Sequence, residues 1–325
     1  MTTIRIGTFN LENFDDKPGE TPTLADRIAL MRPQIVRMRA DILCLQEVNG
    51  QEQAGQPRQL LALQQLLAGT AHGASTLTST KTTANEVFDE RNLVVVSPFP
   101  VLSATQIKNV KVPPPEYRRI TASPPETQAK KMEWERPILH VVLQLPGSQQ
   151  LHVFNVHLKS KLPTDIPGQK KDTFTWNSSA GYAEGVLISA MKRFGQAVEL
   201  RMLIEDLFQN DPAALIAVCG DCNAEEHEVE LAAVRADIED HNNETLVGTT
   251  MVLCESTVPA SSRYSLFHHG RGTMLDHIMV SRALLVNYRS TEIHNELLHD
   301  ESLAFRTDIK YPESDHAPVI AEFEF

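Results

Sequence analysis

The sequence predicts an α/β chain of the α+β kind, built on mixed and mainly antiparallel β-sheets. Three observations predict it. Short apolar runs of β character recur from end to end, against only two long helical stretches. Two of those runs, residues 138–145 and 151–156, are joined by Pro146-Gly147-Ser148, a turn signal that pairs them as a hairpin. Strands and helices do not alternate regularly, which argues against a doubly wound nucleotide fold.

Taken in chain order, residues 4–9 form the first apolar run, and the start Met1-Thr2-Thr3-Ile4-Arg5-Ile6-Gly7 lacks the basic-then-apolar pattern of a secretory signal. Residues 24–39 carry apolar side chains at three- and four-residue spacing and read as a helix. Runs at 42–45 and 93–96 read as strands on either side of a shorter helix at 59–67. A long loop follows at 108–136, with Pro113-Pro114-Pro115, Pro124-Pro125 and the cations Lys108, Lys111, Arg118, Arg119, Lys130, Lys131 and Arg136. Beyond the hairpin, 159–180 reads as a second basic loop containing Lys159, Lys161, Lys170, Lys171 and Trp176. The second long helix covers 185–208, and strands follow at 215–218, 275–280 and 319–325. Between them, 225–244 reads as an acidic loop.

A chain of 325 residues buries a large core, and 42% hydrophobic with 22% charged residues is ordinary for a soluble globular protein. No stretch approaches the roughly 18 apolar residues of a membrane span. Four cysteines, at 44, 219, 222 and 254, make no disulfide framework at this length, so a reduced, cytoplasmic protein is expected. Nothing points to an obligatory protein partner. The net charge of −12 argues against an extended nucleic-acid coat, because phosphate binding is driven by Lys and Arg. A small nuclease stays open: a bound divalent cation changes the local field, and the basic loops supply a rim for an anionic substrate.

Six segments place polar groups at the ends of apolar runs: Thr8-Phe9-Asn10-Leu11-Glu12-Asn13, Gln46-Glu47, Asn155-Val156-His157-Leu158-Lys159, Gly220-Asp221-Cys222-Asn223, Leu275-Asp276-His277 and Ser314-Asp315-His316. Singly, Asn10 or Asn13 is a turn or cap residue and Glu47 a solvated carboxylate. Together the types fit one chemistry. Mg²⁺ takes oxygen ligands and is held by one or two carboxylates plus substrate phosphate, which Glu47, Asp315 and the amide oxygen of Asn10 would supply. Phosphoryl transfer also needs an oriented water, donors for developing charge and a proton source; Asp221, Asn223, His157 and His316 match. Two apart on an extended segment, Asp221 and Asn223 are expected to share one face.

These segments, in this order, resemble the endonuclease/exonuclease/phosphatase superfamily, which has the fold of deoxyribonuclease I. The resemblance spans nearly the whole chain. It implies a four-layer sandwich, two packed mixed sheets flanked by helices, with residues 1–325 as a single catalytic domain. It implies Mg²⁺ (or Mn²⁺) at Asn10 and Glu47 with Asp315 close by, and Asp221 orienting or deprotonating the attacking water. Asn223, His157 and His316 are then phosphate contacts and Asp276 holds the His316 tautomer. Asn13, Lys159 and His268 are expected to contact substrate, the lead-in Tyr264-Ser265-Leu266-Phe267-His268-His269-Gly270 implying that His268 or His269 lies near the pocket. One departure is Cys222, where the family has Phe; it is expected to face away from the site.

The implied activity is metal-dependent phosphodiester hydrolysis. The basic loops and Trp176 favour a nuclease. The acidic total favours a small-molecule or lipid phosphoesterase of the same superfamily. A catalytically silent binding module would be expected to lack a metal carboxylate or a histidine that this chain keeps. Cys219-Gly220-Asp221-Cys222 also admits a redox pair or, with Cys44 and Cys254, a zinc site.

Overall fold

The structure, a computed structural model, describes residues 2–303 and 309–325. Its first strand, β1 (Thr3–Phe14), leads into helix α1 (Leu24–Met38), which starts at a reciprocal Thr23–Asp26 capping box. The chain then returns as β2 (Ile42–Val48), parallel to β1, and continues through α2 (Leu61–Leu67), β3 (Thr76–Ser79) and β4 (Asn92–Ser97). The second half repeats the plan. Strands β5 (Val101–Ile107), β6 (Ile138–Gln144) and β7 (Gln150–His157) form an antiparallel meander. The 32-residue helix α3 (Ser179–Asn210) then returns the chain to β8 (Leu215–Asp221), parallel to β7. Helix α4 (Val229–Arg235), β9 (Met251–Leu253), β10 (Asp276–Ser281), β11 (Tyr288–Ile293) and β12 (Val319–Glu324) follow.

The strands make two six-stranded sheets, ordered β11-β12-β1-β2-β4-β3 and β9-β10-β8-β7-β6-β5. Each is antiparallel except for one central parallel pair, which needs a crossover connection, supplied here by α1 and α3. Alternate side chains of both sheets meet in one core: Ile4, Ile6, Ile42, Val319 and Phe323 against Val141, Val153, Ala217, Ile278 and Val280. The opposite faces carry the helices. Phe9, Leu43 and Leu45 pack on Met31, Ile35 and Leu63, while Phe154, Ile216 and Val218 pack on Leu200, Ile204 and Leu231. The result is the four-layer α/β sandwich.

Three loop expectations are refined. Residues 225–244 are not one loop, since α4 and a short turn of helix (Ile238–His241) lie within them. The loop 108–136 is anchored along α3. Buried Glu199 accepts N–H bonds from Asn109, Val110 and Lys111, and Glu184 accepts from Ile120, Thr121 and the Tyr117 hydroxyl. Trp176 packs edge-on against Tyr182 with the Lys170 amine over its ring, in a satellite cluster with Ile166 and Ile188.

Candidate active site

Parallel pairing sends the C-terminal ends of β1, β2, β7 and β8 to one rim of the sandwich, and the antiparallel β10 and β12 begin there. Register then fixes the faces. His157 lies opposite Asp221, and Asp221 opposite Asp276, on the parity of Val153, Ala217 and Ile278, which face between the sheets. Asn10 shares the parity of Ile4 and Ile6 and faces them from the other sheet. Glu47 does not, because its parity is that of Leu43 and Leu45 on the helix side. A break in the β2 register between Leu45 and Val48, with left-handed Glu47 (φ 56°), swings its carboxylate to the mouth. Glu12 and Asn13 (φ 48° and 47°) make a matching break in β1. Strained non-glycine residues of this kind are held where surrounding contacts over-determine them.

Asp221 is the hub. Its carboxylate accepts from Asn10 Nδ2 (3.1 Å), the Asn223 N–H (2.8 Å) and Asn223 Nδ2 (3.1 Å). His157 Nε2 lies 3.2 Å away and His316 Nε2 4.0 Å away. Asn223 reaches Asp221 by a turn beyond the strand end, at φ 48°, and not by sharing the face of an extended segment. Its amide also donates to Leu158 O (3.1 Å), so its Nδ2 faces Asp221 and the backbone. On the other side of the mouth, His316 Nδ1 meets Asp276 Oδ2 at 2.6 Å. Ser265 Oγ, accepting from the Leu275 and Asp276 N–H groups, holds that strand start. Asp315 is seated by its N–H on Glu12 Oε2 (3.1 Å), and Ser314 Oγ donates to Asn10 O (2.7 Å). Glu47 Oε2 accepts the Asn13 N–H (3.0 Å), and its Oε1 lies 3.7 Å from His157 and 3.8 Å from Arg136. Beneath the mouth a polar plug joins the sheets: Gln46 Nε2 donates to Asn155 Oδ1 (2.7 Å) and Asn155 Nδ2 to Leu45 O and Val94 O.

The charges are set by burial against neighbours. Burial alone pushes Asp221 up, yet His157 and His316 outweigh it and hold the acid well below the usual carboxylate range. His316 is the converse. Burial favours its neutral form, but Asp276, Asp315 and Asp221 together raise it well above an ordinary histidine. His157 is lowered by burial and then by Arg136. Asp315 is raised well above the usual range by burial, with Glu12, Glu301 and Glu47 adding to it.

Nine expected residues therefore converge here: Asn10, Asn13, Glu47, His157, Asp221, Asn223, Asp276, Asp315 and His316. Lys159 stands to one side, where its amine bonds to Ser160 Oγ (3.0 Å) and Leu162 O (3.2 Å) and burial brings it down to about 8. His268 is not brought into the cluster. It is part-exposed on a small hairpin, with Nδ1 3.1 Å from Glu301, a residue near enough to Asp315 to raise its carboxyl. Cys222 is buried on the helix side of the second sheet while Cys219 faces the inter-sheet core. All four cysteines are free, and among the described residues none belongs to a cluster spaced for a metal. Sequence reasoning missed Glu12 as the seat of Asp315, and Arg91, whose Nε donates to Asn13 Oδ1 (3.1 Å). It saw Arg136 only as one loop cation among seven.

Comparison with known proteins agrees with the fold. The structure superposes on truncated Caenorhabditis elegans TDP2 with a TM-score of 0.59 and 14% identity, covering 99% of this chain and 98% of that one. It is also similar to an endonuclease/exonuclease/phosphatase from Bacteroides vulgatus, with a TM-score of 0.57 and 17% identity over the full length of both chains. A third similar structure is the Neisseria 3′ phosphatase NExo bound to product DNA hairpin, with a TM-score of 0.54 and 15% identity over 99% of this chain and 100% of that one. A search of curated proteins finds no match. At these identities the likeness is one of fold. Residues 7–316, a span that holds every cluster residue named above, match the family itself, so the chain belongs to the Endonuclease/Exonuclease/phosphatase family.

Proposed function

We propose that this protein hydrolyses phosphodiester bonds by in-line attack of water, with Mg²⁺ or Mn²⁺ as cofactor and a nucleic-acid strand as substrate. The observation that carries the reading is one mouth in which Asp221 lies 3.2 Å from His157 and 4.0 Å from His316, whose ring meets Asp276 at 2.6 Å, an arrangement that holds the acid below the carboxylate range and His316 above an ordinary histidine. Support for a strand as substrate comes from the basic groups Arg91, Arg136 and Lys159 beside the mouth, and from the likeness to NExo, whose structure holds product DNA. We take residues 1–325 as one catalytic domain. The free cysteines suit a reducing compartment, and we place the protein in the cytoplasm.

Asn10, Glu47 and Asp315 would hold the ion, and they fit it. The donors are all oxygen, Asp315 Oδ1 is buried without a hydrogen-bond partner, and Glu12, Glu47 and Asp315 crowd like charges that a dication would relieve. When bound, such an ion stabilises charge on the phosphoryl oxygens. Asp221, Asp276 and His316 also lie close enough to suggest a triad. Their arrangement fits acid–base work better, because Asp276 is occupied in orienting the His316 ring.

Asp221, fixed by Asn10 and Asn223, orients the water and takes its proton as the new P–O bond forms. His316, kept protonated by Asp276, gives a proton to the leaving oxygen as the old P–O bond breaks. His157 faces the phosphoryl oxygens from the second sheet.

The test is turnover of single-stranded DNA, nicked-plasmid formation, a bis-aryl phosphate and a phosphoinositide, each with Mg²⁺, Mn²⁺ or chelator. Strand cleavage abolished by chelator is expected. Chelator-insensitive turnover, or turnover of the phosphoinositide alone, would refute the proposal. His316→Ala and Asp221→Asn should each lower kcat by about 10²-fold or more; near-wild-type turnover in both overturns their roles.

A further inference from the structure

Beside the mouth lies a cavity of ≈ 360 Å³ whose lining includes Phe88, Arg91, Arg136, Pro137 and Lys159. It joins the active site through two contacts already described. Arg91 Nε reaches Asn13 Oδ1 at 3.1 Å, and an Arg136 terminal nitrogen lies 3.8 Å from Glu47. Its wall carries three cations against two carboxylates. The carboxylates on its wall are engaged elsewhere, Glu135 with Lys192 (2.6 Å) and Glu90 with Lys17 (3.7 Å). Among the described residues neither Arg91 nor Lys159 has a carboxylate within 4.0 Å, and the Lys159 amine donates only to neutral oxygens.

Arg136 is the sharpest sign. Its side chain is half-buried, and its Nε, itself buried, has no partner among the described residues. A buried guanidinium donor left unmade is costly unless a ligand completes it. The cations are also held in place. Gln196, buried on α3, accepts the Lys159 backbone N–H (2.8 Å) and donates to the Arg136 backbone O (3.2 Å), so one side chain ties together the two segments that carry these cations. Arg91 is held in the left-handed region at φ 60°. Guanidinium forks match tetrahedral oxyanions, and ammonium adds a point charge.

We propose that this cavity is a subsite for a second phosphate group of the substrate, next to the scissile one. The proposal deepens the phosphodiesterase reading and rests on it. Phe88 and Pro137 give apolar surface for the organic part between the two phosphates, and the cavity is larger than a phosphate alone fills. The second phosphate is either a flanking diester in a strand or a terminal monoester, and both present the same oxyanion.

Two measurements test it. The first is calorimetric titration of the chelator-treated protein with inorganic pyrophosphate, which needs no turnover. Binding by the wild type, weakened about tenfold or more in both Arg91→Gln and Lys159→Gln, is expected for the loss of one charge-assisted contact. No binding by the wild type, or equal binding by the variants, overturns the subsite. The second compares KM for the dinucleotide TpT with that for pTpT, TpTp and TpTpT in Mg²⁺. At least one two-phosphate substrate should have a KM about tenfold lower than TpT, and Arg91→Gln should erase that advantage. An advantage confined to pTpT or TpTp assigns a terminal phosphate, and one shared by TpTpT assigns a flanking diester. Equal KM for all four, or an advantage that survives in Arg91→Gln, overturns it. Failure to turn over any of the four refutes the phosphodiesterase reading, while the pyrophosphate titration still decides the anion site.

Discussion

Gly220 stands one residue before Asp221 with φ 144°, and a Cβ added there would lie 2.0 Å from Val156 O on the neighbouring strand. Backbone cannot yield as a flexible side chain does, so Gly220→Ala must push β8 away from β7 and carry Asp221 off its partners. A misplacement on the order of 1 Å in such a site costs roughly 10²-fold in rate. The forced left-handed region adds about 1–3 kcal/mol of strain. Gly220→Ala should therefore lower kcat and the melting temperature together, measured by steady-state kinetics and calorimetry; a variant matching the wild type in both would show that the close approach is relaxed in solution. The same scale explains what was legible in the sequence. Asn10, His157, Asp221 and His316 could be read because each closes an apolar run with a polar group, a pattern local to a few residues. Glu12, Arg91 and Gln196 could not. Each is an ordinary surface type in sequence, and each gains its place from a contact 37 or more residues away in the case of Gln196 and from a left-handed backbone in the other two.

The element behind the hub is a short 3-10 turn, Cys254–Thr257, pinned to β10 by a buried pair. His277 Nδ1 meets Glu255 Oε1 at 2.5 Å and Nε2 meets Ala224 O at 2.8 Å, so both ring nitrogens face acceptors. Burial opposes the charge, but Glu255 and the Ala224 carbonyl outweigh it and raise His277 above an ordinary histidine. A raised folded value means that this pair's contribution is fully present below about pH 6.5, the unfolded value, and is lost as pH rises through the folded one. His277→Ala should cost about 3–5 kcal/mol, because it strands a buried carboxylate. Melting temperatures of wild type and Glu255→Gln, followed upward from about pH 6, should differ in slope, with the wild type losing stability faster. Parallel profiles would remove the pair from the stability of this loop. Elements themselves were legible where burial is two-sided: β2, β4, β8 and β10 each contain an unbroken apolar stretch, Ile42–Leu45, Leu93–Val96, Leu215–Cys219 and Ile278–Val280. The sheet edges were not. β5 exposes most of its length and β11 is half-buried or exposed throughout, as edge strands that resist further pairing are, and so neither carries an apolar signature.

Across the whole molecule, the proposed metal ligands come from one layer, whereas the acid–base groups are split between two, His316 beside Asp315 at the first sheet and Asp221 on the second. Asn10, Glu47 and the lead into β12 that carries Asp315 belong to the first sheet, whereas His157, Asp221 and Asp276 belong to the second. The chain carries a net charge of −12, and Glu12, Glu47 and Asp315 add mutual repulsion at one rim of the sandwich. A dication bound there interacts with the folded arrangement alone, since the unfolded chain does not bring residues 10, 47 and 315 together. Linkage then makes binding a stability term of about 2.7 kcal/mol at a hundredfold excess over the dissociation constant. For a domain of this size that is an upward shift of several degrees in melting temperature, at about 2–4 °C per kcal/mol for chains somewhat shorter. Mg²⁺ and Mn²⁺ should each raise the wild-type midpoint, and chelator should reverse it. Glu47→Gln and Asp315→Asn should flatten the response, while Asp276→Asn, which touches the His316 ring and none of the three ligands, should retain it. A wild-type midpoint indifferent to both ions, or a response intact in Glu47→Gln but lost in Asp276→Asn, would move the metal from the first sheet to the Asp221–Asp276–His316 side of the mouth or remove it altogether.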